Sequence, residues 1–398
     1  MPVSDLDFDL SEDEQLVKHT AHRFAAEVLR PSGQALDKLS PDDVIAPDSI
    51  LWDVWKQYLE LGFNALDPDM DPQAAARLRC IISEEMGWGD AGLAITFGAG
   101  SMPAMLASMS GRADMIERFP PQELGSWGIT EPGHGSDMID FNERFTGSGG
   151  KRGAANCMAR AEGEEFVISG QKAAWVSNGC IARSTALYCA TETADGHSGG
   201  GIFLVPLDLE GVSRGKPLHK IGQRALNQGE IFFDQVRIPA SYMICGPEDY
   251  KVMTEMTLCT ANAGMGTCFV GTARAALDLA LEYARERVQG GVAIIEHQNV
   301  KAHLFSMYRK VEAARALNLR VCLHNAVSTV PLLEAAIASK VTSTQTAFEV
   351  ASDALQIFGG AGISQEYPIE KIFRDARISM IEDGCNDVLG LVAADRLA

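Results

Sequence analysis

Apolar residues change their spacing twice along the chain, and this alternation restricts the fold more than any other feature of the sequence. From Ser11 to about Pro120 they recur at helical intervals. Ser11-Glu-Asp-Glu14 reads as a capping box, since a serine hydroxyl and a glutamate three residues on each satisfy a backbone N–H of the other. Leu16, Ala21, Phe24, Ala25 and Val28 then follow at helical spacing, and further helices are expected near Ser49–Leu61, Ala74–Gly87 and Ala94–Ser108. Between Gly125 and about Pro239 the texture shifts to short β-like runs punctuated by turn residues. Glu165–Ser169, Thr185–Cys189, Gly201–Val205 and Glu230–Phe233 are the clearest, and their spacing suggests a small barrel or sandwich. From Tyr250 onward long helical patterns return at Ala273–Arg287, Ala302–His324 and Leu332–Phe358. The expected architecture is α+β and multidomain: an N-terminal helical domain (1–123), a middle β-barrel or sandwich domain (124–241) and a C-terminal four-helix-bundle domain (242–398).

A length of 398 residues suits two or three such domains. The formal net charge of −19 disfavours a nucleic-acid partner, which would need lysines and arginines at phosphates; its simplest role is solubility. Nine scattered cysteines contain no Cys-x-x-Cys pair, so no metal site is expected and reduced thiols in a cytoplasmic protein are the simpler account. Met1–Leu10 carries Asp5, Asp7 and Asp9 without a signal-peptide core, and no apolar run of about 18 residues is evident, so neither secretion nor a membrane span is expected.

Four segments carry candidate chemistry. Trp127-Gly-Ile-Thr-Glu-Pro-Gly-His-Gly-Ser-Asp137 holds a tight turn whose backbone N–H groups, beside the Thr130 and Ser136 hydroxyls, suit an anionic or carbonyl-rich ligand. An ordinary Gly-Pro loop would look the same. Gly170-Gln-Lys-Ala-Ala-Trp-Val-Ser-Asn-Gly179 follows a strand, and Lys220-Ile-Gly-Gln-Arg-Ala225 leads to Phe233-Asp-Gln-Val-Arg-Ile-Pro239. Ala354-Leu-Gln-Ile-Phe-Gly-Gly-Ala-Gly362 precedes Arg374-Asp375 and Ile381-Glu-Asp-Gly384; its glycines alone need signify only a helix C-cap.

Taken in order, these segments resemble the acyl-CoA dehydrogenase family over nearly the whole chain, from Phe8 to Ala398. The resemblance implies an FAD cofactor between the β domain and the C-terminal helices. Trp127, Ile129 and Thr130 would line the isoalloxazine, Ser136 would reach the pyrophosphate, and Trp175 and Ser177 would stand at the reactive face; a core aromatic and a strand hydroxyl are the bland alternatives. Arg287, Gln298, Gln356, Gly359 and Gly360 match positions that hold FAD across a subunit interface, and Asp387 is a further cofactor candidate. A homotetramer or dimer of dimers is implied, as are an acyl-CoA substrate and an electron-transfer flavoprotein acceptor. Ser136, Asp90, Asn262 and Gly384 are the implied substrate contacts, though a helix-end role for Asp90 is the plainer reading.

The family's base is commonly a glutamate preceding a glycine. Ungapped from Arg374-Asp375, that position is Asp383, with Glu382 where a tyrosine is usual. Aspartate reaches about 1.5 Å less, and misplacement near 1 Å costs on the order of a hundredfold in rate. Glu382 is the alternative base. Relatives with a base on the earlier helix differ here, where Ala261 and Asn262 stand. Asn64–Ala76 lacks a usual Gly-Gly loop, Ile139–Ala161 is long and includes the basic run Gly147–Gly153, and Lys172-Ala-Ala-Trp175 has one extra residue. Small residues at Ala261–Gly266 hint at a roomy acyl cavity. Two other functions compete: a nitroalkane-oxidase-like flavin oxidase, and a subunit that depends on a partner for part of its site.

Overall fold

A computed structural model describes residues 10–64, 69–140 and 154–398. The start of the opening motif, the Gly147–Gly153 run and part of Asn64–Ala76 lie outside the described residues. The capping box forms: Glu14 N–H donates to Ser11 Oγ at 3.2 Å, and Ser11 N–H donates to the Glu14 carboxylate at 2.8 Å. It starts α1 (Glu12–Phe24), followed by α2 (Arg30–Leu36), α3 (Pro41–Val44), α4 (Ile50–Glu60), α5 (Pro72–Gly89), α6 (Ala91–Gly100), α7 (Met102–Met109) and α8 (Ala113–Arg118). The single helix expected over Ala94–Ser108 is two. Pro103 has no N–H to continue α6, and the Ser101 hydroxyl donates to the Gly98 carbonyl at 2.7 Å. Contrary to the sequence reading, Ala91–Met109 does reach membrane-spanning length and hydropathy; half of it is buried inside the fold.

The sheet comprises β1 (Gly125–Gly128), β2 (Cys157–Glu162), β3 (Glu165–Lys172), β4 (Ser184–Glu192), β5 (Ser198–Pro206), β6 (Val212–Arg214), β7 (Ile231–Pro239) and β8 (Met243–Cys245). Its order is β6-β7-β3-β2-β4-β5-β8, with β1 parallel to the first half of β4. One face packs on itself through residues such as Phe166, Ile168, Phe203 and Ile231. The other face of β4 and β5 meets Met102, Leu106, Met115 and Phe119 of α7, α8 and the residue after. Being covered on both sides explains why β4 is buried along nearly its whole length and does not alternate.

The C-terminal region holds α9 (Tyr250–Glu286), a hairpin of β9 (Val288–Gln289) and β10 (Val292–Ala293), then α10 (Gln298–Val327), α11 (Leu333–Phe358), α12 (Ile369–Ile378) and α13 (Asn386–Leu397). The hairpin turns on Gly290 and Gly291, both left-handed at φ 69° and 87°. Helix α9 starts at Tyr250, well before the Ala273 expected, because the small residues that obscured its pattern are its contact surface. A Cβ on Gly266 would lie 2.5 Å from Asn318 Nδ2 and 2.8 Å from Ser339 Oγ; on Gly271, 1.9 Å from the Glu84 carbonyl oxygen. At Gly266, therefore, neighbouring helices fill the space that the sequence reading assigned to a roomy cavity. Helix α5 packs along both α9 and α10, so N- and C-terminal helices share one interface.

Gly271→Ala must push α5 away from α9, and overpacking of this kind costs about 1–3 kcal/mol. Urea unfolding is expected to show a lower midpoint with an unchanged slope; an unaltered midpoint would contradict the close packing.

Candidate active site

The loop between α12 and α13 carries Glu382 and Asp383, and it bends through two left-handed residues, Asp383 at φ 51° and Gly384 at φ 90°. Aspartate tolerates that conformation better than most side chains. Three parts of the chain grip the loop. From α11, Lys340 Nζ donates to the Gly384 carbonyl at 2.9 Å and to Asn386 Oδ1 at 2.8 Å. From the turn after β1, Ser136 Oγ accepts the Cys385 N–H at 3.0 Å. From the loop between β6 and β7, Gln223 Nε2 donates to Glu382 Oε1 at 2.7 Å. Gln223 is itself held by its backbone N–H, which donates to the Asp375 carboxylate.

The two adjacent carboxylates are consequently unlike. Glu382 is tied to Gln223, whereas Asp383 makes no hydrogen bond among the described residues; both are half-buried. Burial, with the neighbouring Asp383 charge, pushes Glu382 up to about 7; Gln223, Lys340 and Lys220 pull it back. Burial also raises Asp383, and Lys340 opposes that rise. Burial in turn lowers Lys340 and Lys220 to about 8, against the pull of the nearby carboxylates. An accessible carboxylate with raised proton affinity is suited to general-base work near neutral pH.

The turn after β1 is organised by Glu131. Its buried carboxylate accepts Lys172 Nζ at 2.7 Å and the Asn156 N–H at 2.6 Å, and Lys172 also donates to the Ile129 carbonyl at 3.1 Å. The glycine N–H groups expected to face a ligand are already used: Gly133 donates to Asn156 Oδ1 at 2.9 Å and Gly135 to Asp137 Oδ1 at 2.6 Å. The ligand-facing groups are elsewhere. The Thr130 hydroxyl has no partner among the described residues. Trp175 is 60% exposed after β3, where Gln228 Nε2 donates to its carbonyl at 3.1 Å and approaches Ser177 Oγ at 3.4 Å. The buried Trp127 indole N–H has no acceptor among the described residues, and Ile129, two positions on, is half-buried.

Several expected residues prove to act otherwise. Asp90 is only 5% exposed with both oxygens engaged: Oδ1 accepts the Leu93 N–H at 2.9 Å, capping α6, and Oδ2 pairs with Lys371 at 2.6 Å. It is not free to contact a substrate. Ser136 anchors the Asp383 loop by accepting the Cys385 N–H, which leaves its hydroxyl hydrogen and a second lone pair for another partner. Asn262 is fully buried, its Nδ2 bonded to the Leu258 carbonyl at 3.0 Å and its Oδ1 unpartnered. Gly384 belongs to the gripped loop, and Asp387 is exposed in the first turn of α13.

Arg287, Gln298, Gln356, Gly359 and Gly360 gather at the far end of the helices, all exposed, where the Tyr283 and Phe358 rings stack at 4.1 Å. Gln356 lies about 24 Å along α11 from Lys340, at 1.5 Å per residue. Exposed apolar side chains stand among them, Val288 at 61% and Ile363 at 75%. Sequence reasoning missed Lys340, Gln223, Glu131 and Lys172. For Lys340 a signal existed: it occupies a core position of α11, at helical spacing from Ala336, Ile337, Thr344 and Ala347.

Family models match two parts of the chain, the acyl-CoA dehydrogenase middle domain over residues 126–236 and the acyl-CoA dehydrogenase C-terminal domain over residues 252–398. Cyclohexane-1-carbonyl-CoA dehydrogenase of Geobacter metallireducens is 30% identical, the match spanning 97% of this chain and 98% of that protein. The mitochondrial short-chain specific acyl-CoA dehydrogenase of Rattus norvegicus is 29% identical over 98% of this chain and 91% of its own length. The solved structure of butyryl-CoA dehydrogenase from Megasphaera elsdenii superposes with a TM-score of 0.84 at 26% identity, covering 98% of this chain and 100% of that one.

The raised proton affinity of Glu382 has a consequence for stability. Its folded value of about 7 exceeds the ordinary 4.5, so the folded state binds that proton more tightly than the unfolded chain does. The destabilisation is absent below the ordinary value and complete above the folded one. Glu382→Gln is therefore expected to raise Tm at pH 8 and to leave it nearly unchanged at pH 4.5, as read by thermal scans; equal shifts at both pH values would contradict the raised affinity.

Proposed function

The chain belongs to the acyl-CoA dehydrogenase family, and we propose that it binds FAD and removes two hydrogens from an acyl-CoA thioester, with Asp383 as the base. The observation that carries the assignment of the base is the contrast within the loop: Asp383 makes no hydrogen bond among the described residues, while Glu382 is held by Gln223. Groups on β1 and the turn after it, and on the segment after β3, fit a flavin. An exposed Trp175 indole offers a flat apolar surface, and among the described residues the Thr130 hydroxyl has no partner and the buried Trp127 N–H lacks the acceptor that a carbonyl-rich ring would supply.

When bound, the oxidised flavin supplies the acceptor for the hydride equivalent that leaves the β-carbon. The protein's own part is proton chemistry and positioning. Asp383 takes the α-proton, a step to which a placed base contributes about 10²–10⁴-fold. Gln223, Ser136 and Lys340 hold the loop so that this carboxylate keeps its orientation. The placement of Gln356 about 24 Å along α11 from Lys340, which holds the loop, supports sharing of the cofactor between subunits of a homotetramer or dimer of dimers. The exposed apolar side chains around the Arg287–Gly360 group support the same reading. An electron-transfer flavoprotein is the proposed acceptor, by analogy with the family.

The test is an anaerobic titration of the flavin-loaded protein with a panel including butyryl-CoA and cyclohexane-1-carbonyl-CoA, following bleaching of the visible flavin band. Bleaching is expected with at least one thioester. Asp383→Asn should slow it by about a thousandfold, Glu382→Gln far less, and Asp383→Glu by about a hundredfold through its changed reach. Loss of bleaching with Glu382→Gln and not with Asp383→Asn would transfer the base to Glu382. Reduction by a nitroalkane and by no thioester would favour the oxidase. The acid limb of kcat/KM should lie above the ordinary aspartate range, since the active base is the ionised form and burial raises its pKa.

A further inference from the structure

We infer that Lys340 is a positioning residue for the reaction: its buried ammonium fixes the backbone beside Asp383 and supplies the positive charge against which that carboxylate ionises. The inference rests on the reading of Asp383 as the base.

Lys340 lies on α11 with no accessible surface. Its ammonium donates to two neutral oxygens, the Gly384 carbonyl at 2.9 Å and Asn386 Oδ1 at 2.8 Å, and no ion pair holds it among the described residues. A buried ammonium without an ion pair is costly. If anchoring were its whole task, an amide would donate to the same oxygens at far lower desolvation cost. The charge is accounted for by what it faces. Asp383, Glu382 and Cys385 on the loop all act to keep Lys340 protonated, and Lys340 favours ionisation of both carboxylates.

Geometry gives the same residue its second task. Asp383 and Gly384 are both left-handed, and Lys340 holds the carbonyl of the second. Asn386 extends the grip, since its Nδ2 donates to Thr344 Oγ1 at 3.0 Å, one helical turn beyond Lys340 on α11. The other groups facing this carboxylate pair are few. Cys268 of α9 is a buried thiol that these carboxylates help to keep protonated. Lys220, between β6 and β7, acts on Glu382 and is bonded to the Leu226 carbonyl at 2.7 Å and to Gln228 Oε1 at 3.1 Å.

The test needs no knowledge of the substrate. Infrared difference titration of the holoenzyme reads the protonated-carboxyl stretch, with the Asp383 contribution identified by its loss in Asp383→Asn. Lys340→Met should raise the Asp383 midpoint by about 1–3 in pH, the usual effect of removing a nearby opposite charge. Lys340→Gln, which keeps a donor for the Gly384 carbonyl and is the milder change for folding, should raise it similarly. Asn386→Ala keeps the charge but weakens the grip; it should slow bleaching by butyryl-CoA or cyclohexane-1-carbonyl-CoA while leaving the midpoint in place. Midpoints unmoved in both Lys340 variants would overturn the inference. Bleaching unaffected by Asp383→Asn would instead sink the assignment of the base, whatever the Lys340 variants show.

Discussion

A single buried ammonium joins the three regions of the molecule. Lys371 of α12 sits between Asp90, which caps α6, and Asp375 on its own helix, at 2.6 Å from each. Asp375 also accepts the Gln223 backbone N–H, and the Gln223 side chain reaches Glu382. A continuous polar path thus runs from the N-terminal helices through the C-terminal helices and the β region to the Glu382–Asp383 loop. Removing one partner of such a buried pair costs about 3–5 kcal/mol, because the other charge is left uncompensated. The position of the loop is therefore coupled to the docking of regions distant in sequence.

Around this path, packing does the rest by permitting close approach. Glycines at 87, 266 and 271 let α5, α9 and α11 come nearer than any side chain would allow. Burial of β4 on both faces ties the sheet to α7 and α8. Polar groups kept inside this shell are mostly matched. Among the described residues four buried side-chain atoms lack partners, and two of them, Trp127 Nε1 and Asn262 Oδ1, belong to residues that the family resemblance associates with ligands.

Where local chemistry decides the structure, the sequence was a sound guide. The Ser11 capping box, strands β3, β4, β5 and β7, and the ordered motifs that carry the family resemblance all depend on residues close together in the chain. The failures share a cause. Helix α9 was expected to start late because its small residues mark contact with other helices, which no local pattern reveals. Pro103 divided an apolar stretch whose hydropathy is continuous. The glycine N–H groups of the β1 turn looked free because Asn156, which takes one of them, lies 23 residues away in sequence. Asp90 showed as a carboxylate near the expected pocket, and only the fold revealed Lys371 beside it. Lys340 was the one omission with a local warning, a charged residue on the core stripe of a helix.

The placement of Arg287, Gln298, Gln356, Gly359 and Gly360 at the opposite end of the helices from Asp383 has a genetic consequence. With cofactor sites shared between subunits as proposed, a lesion at either end disables a site only where that copy contributes that end. Two chains, one defective in the loop and one defective at the far end, would then assemble into mixed oligomers in which some sites combine two intact halves. Two inactive alleles would restore part of each other's activity, whereas a single defective allele would leave the sites supplied by its healthy partner intact.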